Sequence, residues 1–262
     1  MNNLDPIGFF DSGIGGTSIW KEVISLLPHE NSIYLADSKN APYGEKPIEE
    51  IIALSNKNTD KLLEMGCKMV VVACNTATTN AIKVLRSSYT IPFIGIEPAI
   101  KPAALNSKTK SIGILATKGT LSSKLFHKTS ELYSGEITIT EVVGNGLVTL
   151  IEQGKQDSEE IKYLLIKLLQ PMIDAKIDYL VLGCSHYPYL LTVLKRILPD
   201  NVQIIDSGEA VARQTKKVLE DLHLLNTSSA KGSHKLFSNS NPEVLRKLLD
   251  TAGNCLIEHL DF

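Results

Sequence analysis

Two segments of this chain look alike, and together they restrict its fold more than any other feature. KMVVVACNTATTN runs through Cys74, and DYLVLGCSHYPYL runs through Cys184, 110 residues later. In each, a short aliphatic run stops at a cysteine, and a polar residue opens a helix-like pattern. An unbroken apolar run of this length reads as a strand buried on both faces, as in a parallel sheet covered by helices. Ligands on such sheets bind outside the carboxyl ends of the strands. Two thiols at equivalent ends could therefore face one substrate from opposite sides. That geometry suits taking a proton from one face of a carbon and returning one to the other.

The rest of the chain fits the same scheme. Strand-like runs are Ile7–Phe10, Ser32–Ala36, Met69–Ala73, Phe93–Ile96, Ser111–Leu115, Ile137–Val143, Tyr179–Leu182 and Gln203–Ile205. Helical spacing recurs between them, as in Ser18–Leu27, Glu49–Met65, Glu159–Ile173 and Tyr189–Leu198. Alternation of this kind predicts βαβ units and a parallel α/β sheet. The chain also repeats itself weakly: IGFFDSGIGG begins at Ile7 and IGILATKGT at Ile112, 105 residues apart. One half ends near Glu97–Pro98 and the next starts close to Ile112. The expected division is a first α/β lobe of residues 1–97 plus 207–262 and a second of residues 98–206. The tail after Ser207, with two helical patterns and a strand candidate at Lys235–Phe237, should pack back on the first lobe. Asn226–Ser233 is the best candidate loop.

Composition excludes several classes. The net charge of the 262 residues is −2, which argues against a nucleic-acid or membrane-surface partner, since either would leave a basic patch. Lys195–Arg196 and Lys216–Lys217 read as solvated helix faces. No apolar run approaches a membrane span, and the N-terminus shows no signal peptide, so a cytoplasmic location is expected. The four cysteines form no CxxC pair, and no metal site is expected. Cys67 and Cys255 read as buried apolar residues.

Cys74 and Cys184 differ because each ends a strand where a helix begins, with Asn75 and Thr76 as capping candidates after the first. A helix N-terminus stabilises a thiolate and is expected to lower its pKa. Either cysteine alone would more often be buried filler; two in matched settings favour chemistry. DSGIGG, Asp11 to Gly16, allows a tight turn and close approach of a ligand to the backbone. It matches neither a dinucleotide fingerprint nor a phosphate loop. Asp11 is a turn residue or a carboxylate serving Cys74, and Ser12 could donate to a ligand carboxylate. His186 could be a proton partner for Cys184. Glu152 reads from spacing alone as an exposed helix residue. Tyr43 and Gly44 sit in APYGEKP, a rigid loop that could line a cleft. The candidate site has no motif lysine, which argues against pyridoxal phosphate; Lys118, in ATKGT, is the lysine near a strand end to check.

DSGIGG, the APYG loop, ACNTAT, the IEPA segment at Ile96–Ala99 and GCSHYP, in this order, resemble glutamate racemases of the cofactor-independent aspartate/glutamate racemase group. The matching blocks run from Ile7 to about Ser207. The resemblance implies two pseudo-symmetric parallel-sheet lobes, Rossmann-like or flavodoxin-like, with the active site in the cleft between them. It implies interconversion of L- and D-glutamate, supplying D-glutamate for peptidoglycan, with no cofactor. Cys74 would deprotonate D-glutamate and Cys184 L-glutamate. Asp11 would assist Cys74, and Glu152 and His186 would assist Cys184. Asp11, Ser12, Tyr43, Gly44, Asn75, Thr76, Ser185 and His186 would bind substrate. The family usually has threonine where this chain has Ser185, which keeps the hydroxyl. Members are often dimers, which leaves a homodimer open here. Some carry an N-terminal extension linked to activation by a muramyl precursor; Asp11 comes early, and that regulation is not assumed. Competing readings are an aspartate racemase, a non-catalytic amino-acid binder and a redox protein pairing Cys74 with Cys184.

Overall fold

A computed structural model describes residues 2–249 and 255–262 of the chain. The apolar runs become two all-parallel sheets. The first contains β1 (Ile7–Asp11), β2 (Ser32–Ala36), β3 (Met69–Val72) and β4 (Phe93–Gly95). The second contains β5 (Ser111–Ala116), β6 (Thr138–Val143), β7 (Tyr179–Gly183) and β8 (Gln203–Ile205). Strand order is β2-β1-β3-β4 in one and β6-β5-β7-β8 in the other, so the halves correspond strand for strand. The weak repeat at Ile7 and Ile112 is therefore a repeat of architecture. The first sheet is extended beyond β2 by β9 (His234–Ser238) and β10 (Cys255–His259).

The helices are α1 (Thr17–Leu26), α2 (Ile48–Glu64), α3 (Asn75–Ser88), α4 (Ile100–Asn106), α5 (Lys118–Leu121), α6 (Lys124–Glu131), α7 (Leu147–Glu152), α8 (Glu159–Asp174), α9 (Leu191–Ile197), α10 (Gly208–Asp221) and α11 (Glu243–Leu249). They cover both sheet faces, which is why the strands read as unbroken apolar runs. On the first sheet, Phe9 and Val71 pack with Ile19 and Trp20 of α1 and Val211 of α10. Phe10, Val70 and Val72, pointing the other way, pack with Ile51 of α2 and Leu85 of α3. On the second, Leu180 and Leu182 meet Leu165 and Met172 of α8, while Ile114 and Val181 meet Ile100 of α4. No helix among the described residues is long and apolar enough to cross a membrane.

Strand order places the chemistry. In each half the chain runs from the first strand out to one side and from the third to the other, which leaves a crevice at the carboxyl ends of β1 and β3 and of β5 and β7. Asp11 ends β1, Cys74 follows β3, and Cys184 follows β7. Two expectations need correction. The predicted helix Tyr189–Leu198 starts at Leu191, because Tyr187–Leu190 is a tighter 3-10 turn holding Pro188 at its start. Cys255 is only partly buried, on the outermost strand β10, where it packs against the edge of the core. Cys67 is buried as expected, and its thiol is pushed up to about 12 by burial and by the Asp5 carboxylate.

Candidate active site

Cys74 is itself the N-cap of α3: its Sγ accepts the Ala77 N–H at 3.4 Å. Asn75 and Thr76 are consequently the first helical residues, not caps. Cys74 Sγ–H also points to Ser12 Oγ, at 3.7 Å. The thiol is almost fully buried, and burial dominates its acidity. Desolvation and then the nearby Asp11 carboxylate push it well above the ordinary cysteine value, against the Ala77 and Ser12 bonds. The expected lowering by the helix terminus is thus overturned, because an ion at a buried site loses more to desolvation than one N–H returns.

Cys184 stands in a different setting. Its Sγ lies 3.8 Å from His186 Nδ1, and His186 Nε2 lies 2.6 Å from Glu152 Oε1. Burial alone would lower the His186 pKa. The bonds to Cys184 and Glu152 and the Asp11 charge outweigh it and hold the ring well above its usual value. The imidazole thus sits between Cys184 on Nδ1 and Glu152 on Nε2, with the Gly15 N–H also 3.2 Å from Nε2. Glu152 is at the end of α7 with its side chain only 15% exposed, so the reading of an exposed helix residue is wrong. Its oxygens accept from Ile14 N–H at 2.7 Å and Ser38 Oγ at 2.8 Å, both from the first lobe.

Asp11 joins the two sides. Its carboxylate accepts from Gly13 N–H and Ser185 Oγ, both at 3.0 Å, and lies 4.0 Å from His186 Nδ1. Burial raises its pKa, against the lowering effects of His186, the Gly16 N–H and Ser185. Asp11 thus touches the Cys184 side as well as the Cys74 side. The DSGIGG glycines have a role the sequence did not suggest. A Cβ on Gly13 would sit 1.9 Å from Glu152 Oε1, and one on Gly15 2.1 Å from His186 Nδ1. The bare backbone admits the acid–base groups of the other lobe.

The binding candidates also converge. Asn75 is 1% exposed, and neither its Oδ1 nor its Nδ2 has a protein partner. An unpaired buried amide costs about 1–3 kcal/mol and calls for a ligand. Thr76 Oγ1 meets Thr117 Oγ1 at 2.8 Å and Thr120 Oγ1 at 3.3 Å. Sequence reasoning missed Thr117 and Thr120, although both lie in ATKGT, the second-half counterpart of DSGIGG. Gly44 packs directly against Thr117. Tyr43 is buried, but its hydroxyl is taken by Asp37 and Asn58, so the loop can offer the site its backbone rather than that hydroxyl. Cys74 and Cys184 are both free thiols, which removes a disulfide between them. A cavity of about 250 Å³, lined by Ile14, Ser38, Pro42, Val148 and Glu152 among others, leads from solvent to the Glu152 carboxylate.

A sequence model of the Asp/Glu/Hydantoin racemase family matches residues 17–215. Glutamate racemase of Herpetosiphon aurantiacus is 42% identical over 243 residues, 93% of this chain and 96% of that protein. The structure of Escherichia coli glutamate racemase, in complex with L-glutamate and the activator UDP-MurNAc-Ala, matches with TM-score 0.87 at 32% identity, over 98% of each chain. The Francisella tularensis glutamate racemase in complex with D-glutamate matches with TM-score 0.84 at 26% identity, over 99% of this chain and 98% of that one. With two matched sheets, a thiol at each equivalent strand end and relatives of this kind over nearly its whole length, the chain belongs to the Asp/Glu/Hydantoin racemase family and stands in it with the glutamate racemases.

Proposed function

We propose that the chain interconverts L- and D-glutamate without a cofactor, one of Cys184 and Cys74 removing the α-proton from one face while the other delivers its own proton to the opposite face. The observation that carries this reading is the equivalence of the two thiols: each stands just past the carboxyl end of the corresponding strand of a duplicated sheet. Closure of residues 98–206 on residues 1–97 plus 207–262 would hold glutamate between them and exclude water, which strengthens every polar contact inside. Cys184, beside His186, acts as the base that takes the α-proton of L-glutamate. Cys74, whose buried thiol holds its proton, delivers it to the opposite face. The reverse sequence converts D to L. Asp11 tunes the Cys74 side, and Glu152 keeps His186 aimed.

Asn75, Ser12, Ser185 and the Tyr43–Gly44 backbone provide donors for the α-carboxylate and acceptors for the ammonium group. Thr76, Thr117 and Thr120 form a hydroxyl cluster suited to the second carboxylate. Fixed donors of this kind stabilise the carbanionic transition state by preorganised electrostatics. The product feeds peptidoglycan assembly, the setting is cytoplasmic, and a homodimer is the assembly proposed. The deciding experiment uses L-glutamate in D₂O without added cofactor, followed by NMR and polarimetry. Loss of the α-proton signal together with optical rotation is expected; exchange with aspartate but not glutamate would overturn the substrate assignment.

His186→Asn and Glu152→Gln should each lower kcat/KM, by about 10²-fold for the histidine. Enantiomers have equal free energies, so kcat/KM must fall equally in both directions. The lesion instead shows in isotope effects. Once transfer at Cys184 is slowest, α-deuterated L-glutamate gives a larger primary effect than it gives with wild type, and α-deuterated D-glutamate a smaller one. Unchanged isotope effects would show that these partners do not serve Cys184.

A further inference from the structure

The acid–base relay is Cys184–His186–Glu152, all from the second lobe, yet its last carboxylate is fastened by the first. Ser38 opens the short turn after β2 and donates its hydroxyl to Glu152 Oε2 at 2.8 Å, across 114 residues of sequence. The Ile14 N–H reaches Oε1 at 2.7 Å, the same oxygen that faces His186 Nε2 at 2.6 Å. The Ser38 hydroxyl does not serve its own turn, whose N-cap position is Asp37 without a side-chain cap bond. Among the described residues, Glu152 is its one hydroxyl partner.

Position makes that bond matter. Glu152 ends the six-residue helix α7, and both Glu152 and Ser38 border the cavity of about 250 Å³. A carboxylate there has room to turn about its last torsions. Two oxygens fixed separately, one by Ser38 and one by Ile14 with His186, leave a single orientation. Release of Oε2 restores the torsion and lets Oε1 leave the imidazole. A hydrogen bond to a charged acceptor has the strength to bias that choice.

We infer that Ser38 is a positioning residue for the Cys184 half-reaction, fixing the Glu152 carboxylate on His186 only while the two lobes are apposed. This rests on the two-thiol racemase reading. It adds that the relay at Cys184 is assembled by closure, since its outermost donor comes from across the cleft. The direct contacts of Cys74, with Ser12 and Ala77, lie within the first lobe, and only Asp11 beside it reaches across, to Ser185.

The test compares Ser38→Ala and Ser38→Thr with wild type, using glutamate and both α-deuterated enantiomers, with circular dichroism to confirm folding. Ser38→Ala should lower kcat/KM about tenfold, the effect of one bond to a charged acceptor. Its isotope effect should rise with α-deuterated L-glutamate and fall with the D enantiomer. Ser38→Thr keeps the hydroxyl, has the adjoining cavity for its methyl, and should restore both rate and isotope effects. A tenfold loss with unchanged isotope effects would assign Ser38 a merely structural role and overturn the inference. So would an alanine variant as fast as wild type, or a threonine variant as slow as alanine. Failure of the wild type to racemise glutamate would instead remove the underlying reading, so the two failures are distinct.

Discussion

Cys74→Ser and Cys184→Ser are each expected to slow racemisation by about 10²–10⁴-fold, the range that a positioned acid–base group supplies. Serine preserves the shape of both sites but not their acidity. A hydroxyl is a far weaker acid than a thiol, whose reference pKa is about 8.5. The substitution also separates chemistry from folding. Cys74 caps α3 through its sulfur, at 3.4 Å from the Ala77 N–H, and serine is among the better residues for that position. The variant should keep its circular dichroism spectrum and its melting temperature within a few degrees. Both thiols act in one reaction, so their effects are not independent. The double variant should be little worse than the poorer single one. Retention of more than about a tenth of the rate by either single variant, against the expected range, would end the two-thiol mechanism.

How much of this was legible in the chain depends on the distance over which information had to travel. The strands were readable because β1 and β3 are covered on both faces, leaving local runs such as MVVV from Met69 to Val72. Cys74 and Cys184 followed, since each stands just past such a run. Glu152 was not readable, because its partners Ile14 and Ser38 lie 138 and 114 residues away and only the packing of one lobe on the other brings them together. Spacing within LVTLIEQGK shows a helix end and nothing of what it meets; the resemblance, not the periodicity, pointed to it. The acidity of Cys74 was misread for a related reason. Its helix terminus is local and visible, whereas its burial and the facing Asp11 charge are products of the fold. The tail strand β10 escaped because CLIEH alternates weakly at the sheet edge, where one pairing partner and partial exposure leave little signal.

Thermal stability offers the other large expected effect, and it lies at the opposite end of β3 from the chemistry. Lys68 immediately precedes β3 and is wholly buried. Its ammonium group spends its three protons on Glu30 Oε2 at 2.6 Å, Asn3 O at 2.5 Å and Leu224 O at 2.9 Å. Glu30, equally buried, also accepts the Asn226 N–H at 2.7 Å. One ion pair thus ties the N-terminal segment, the loop before β2 and the tail after α10 to the base of the first sheet. Lys68→Met leaves the Glu30 charge buried with a single donor. Removal of one partner from such a pair costs about 3–5 kcal/mol. For a chain of this size that lowers the melting temperature by roughly 6–20 °C. The cost comes chiefly from the orphaned charge, since a lost methylene packing contact would be far smaller. Lys68→Met combined with Glu30→Gln should therefore melt above Lys68→Met alone, as the neutral amide can still accept from Asn226. Racemase activity below the transition should persist in both, because Cys74 stands at the far end of the strand. A double variant no more stable than the single one would show that lost packing, and not the unpaired carboxylate, sets the cost.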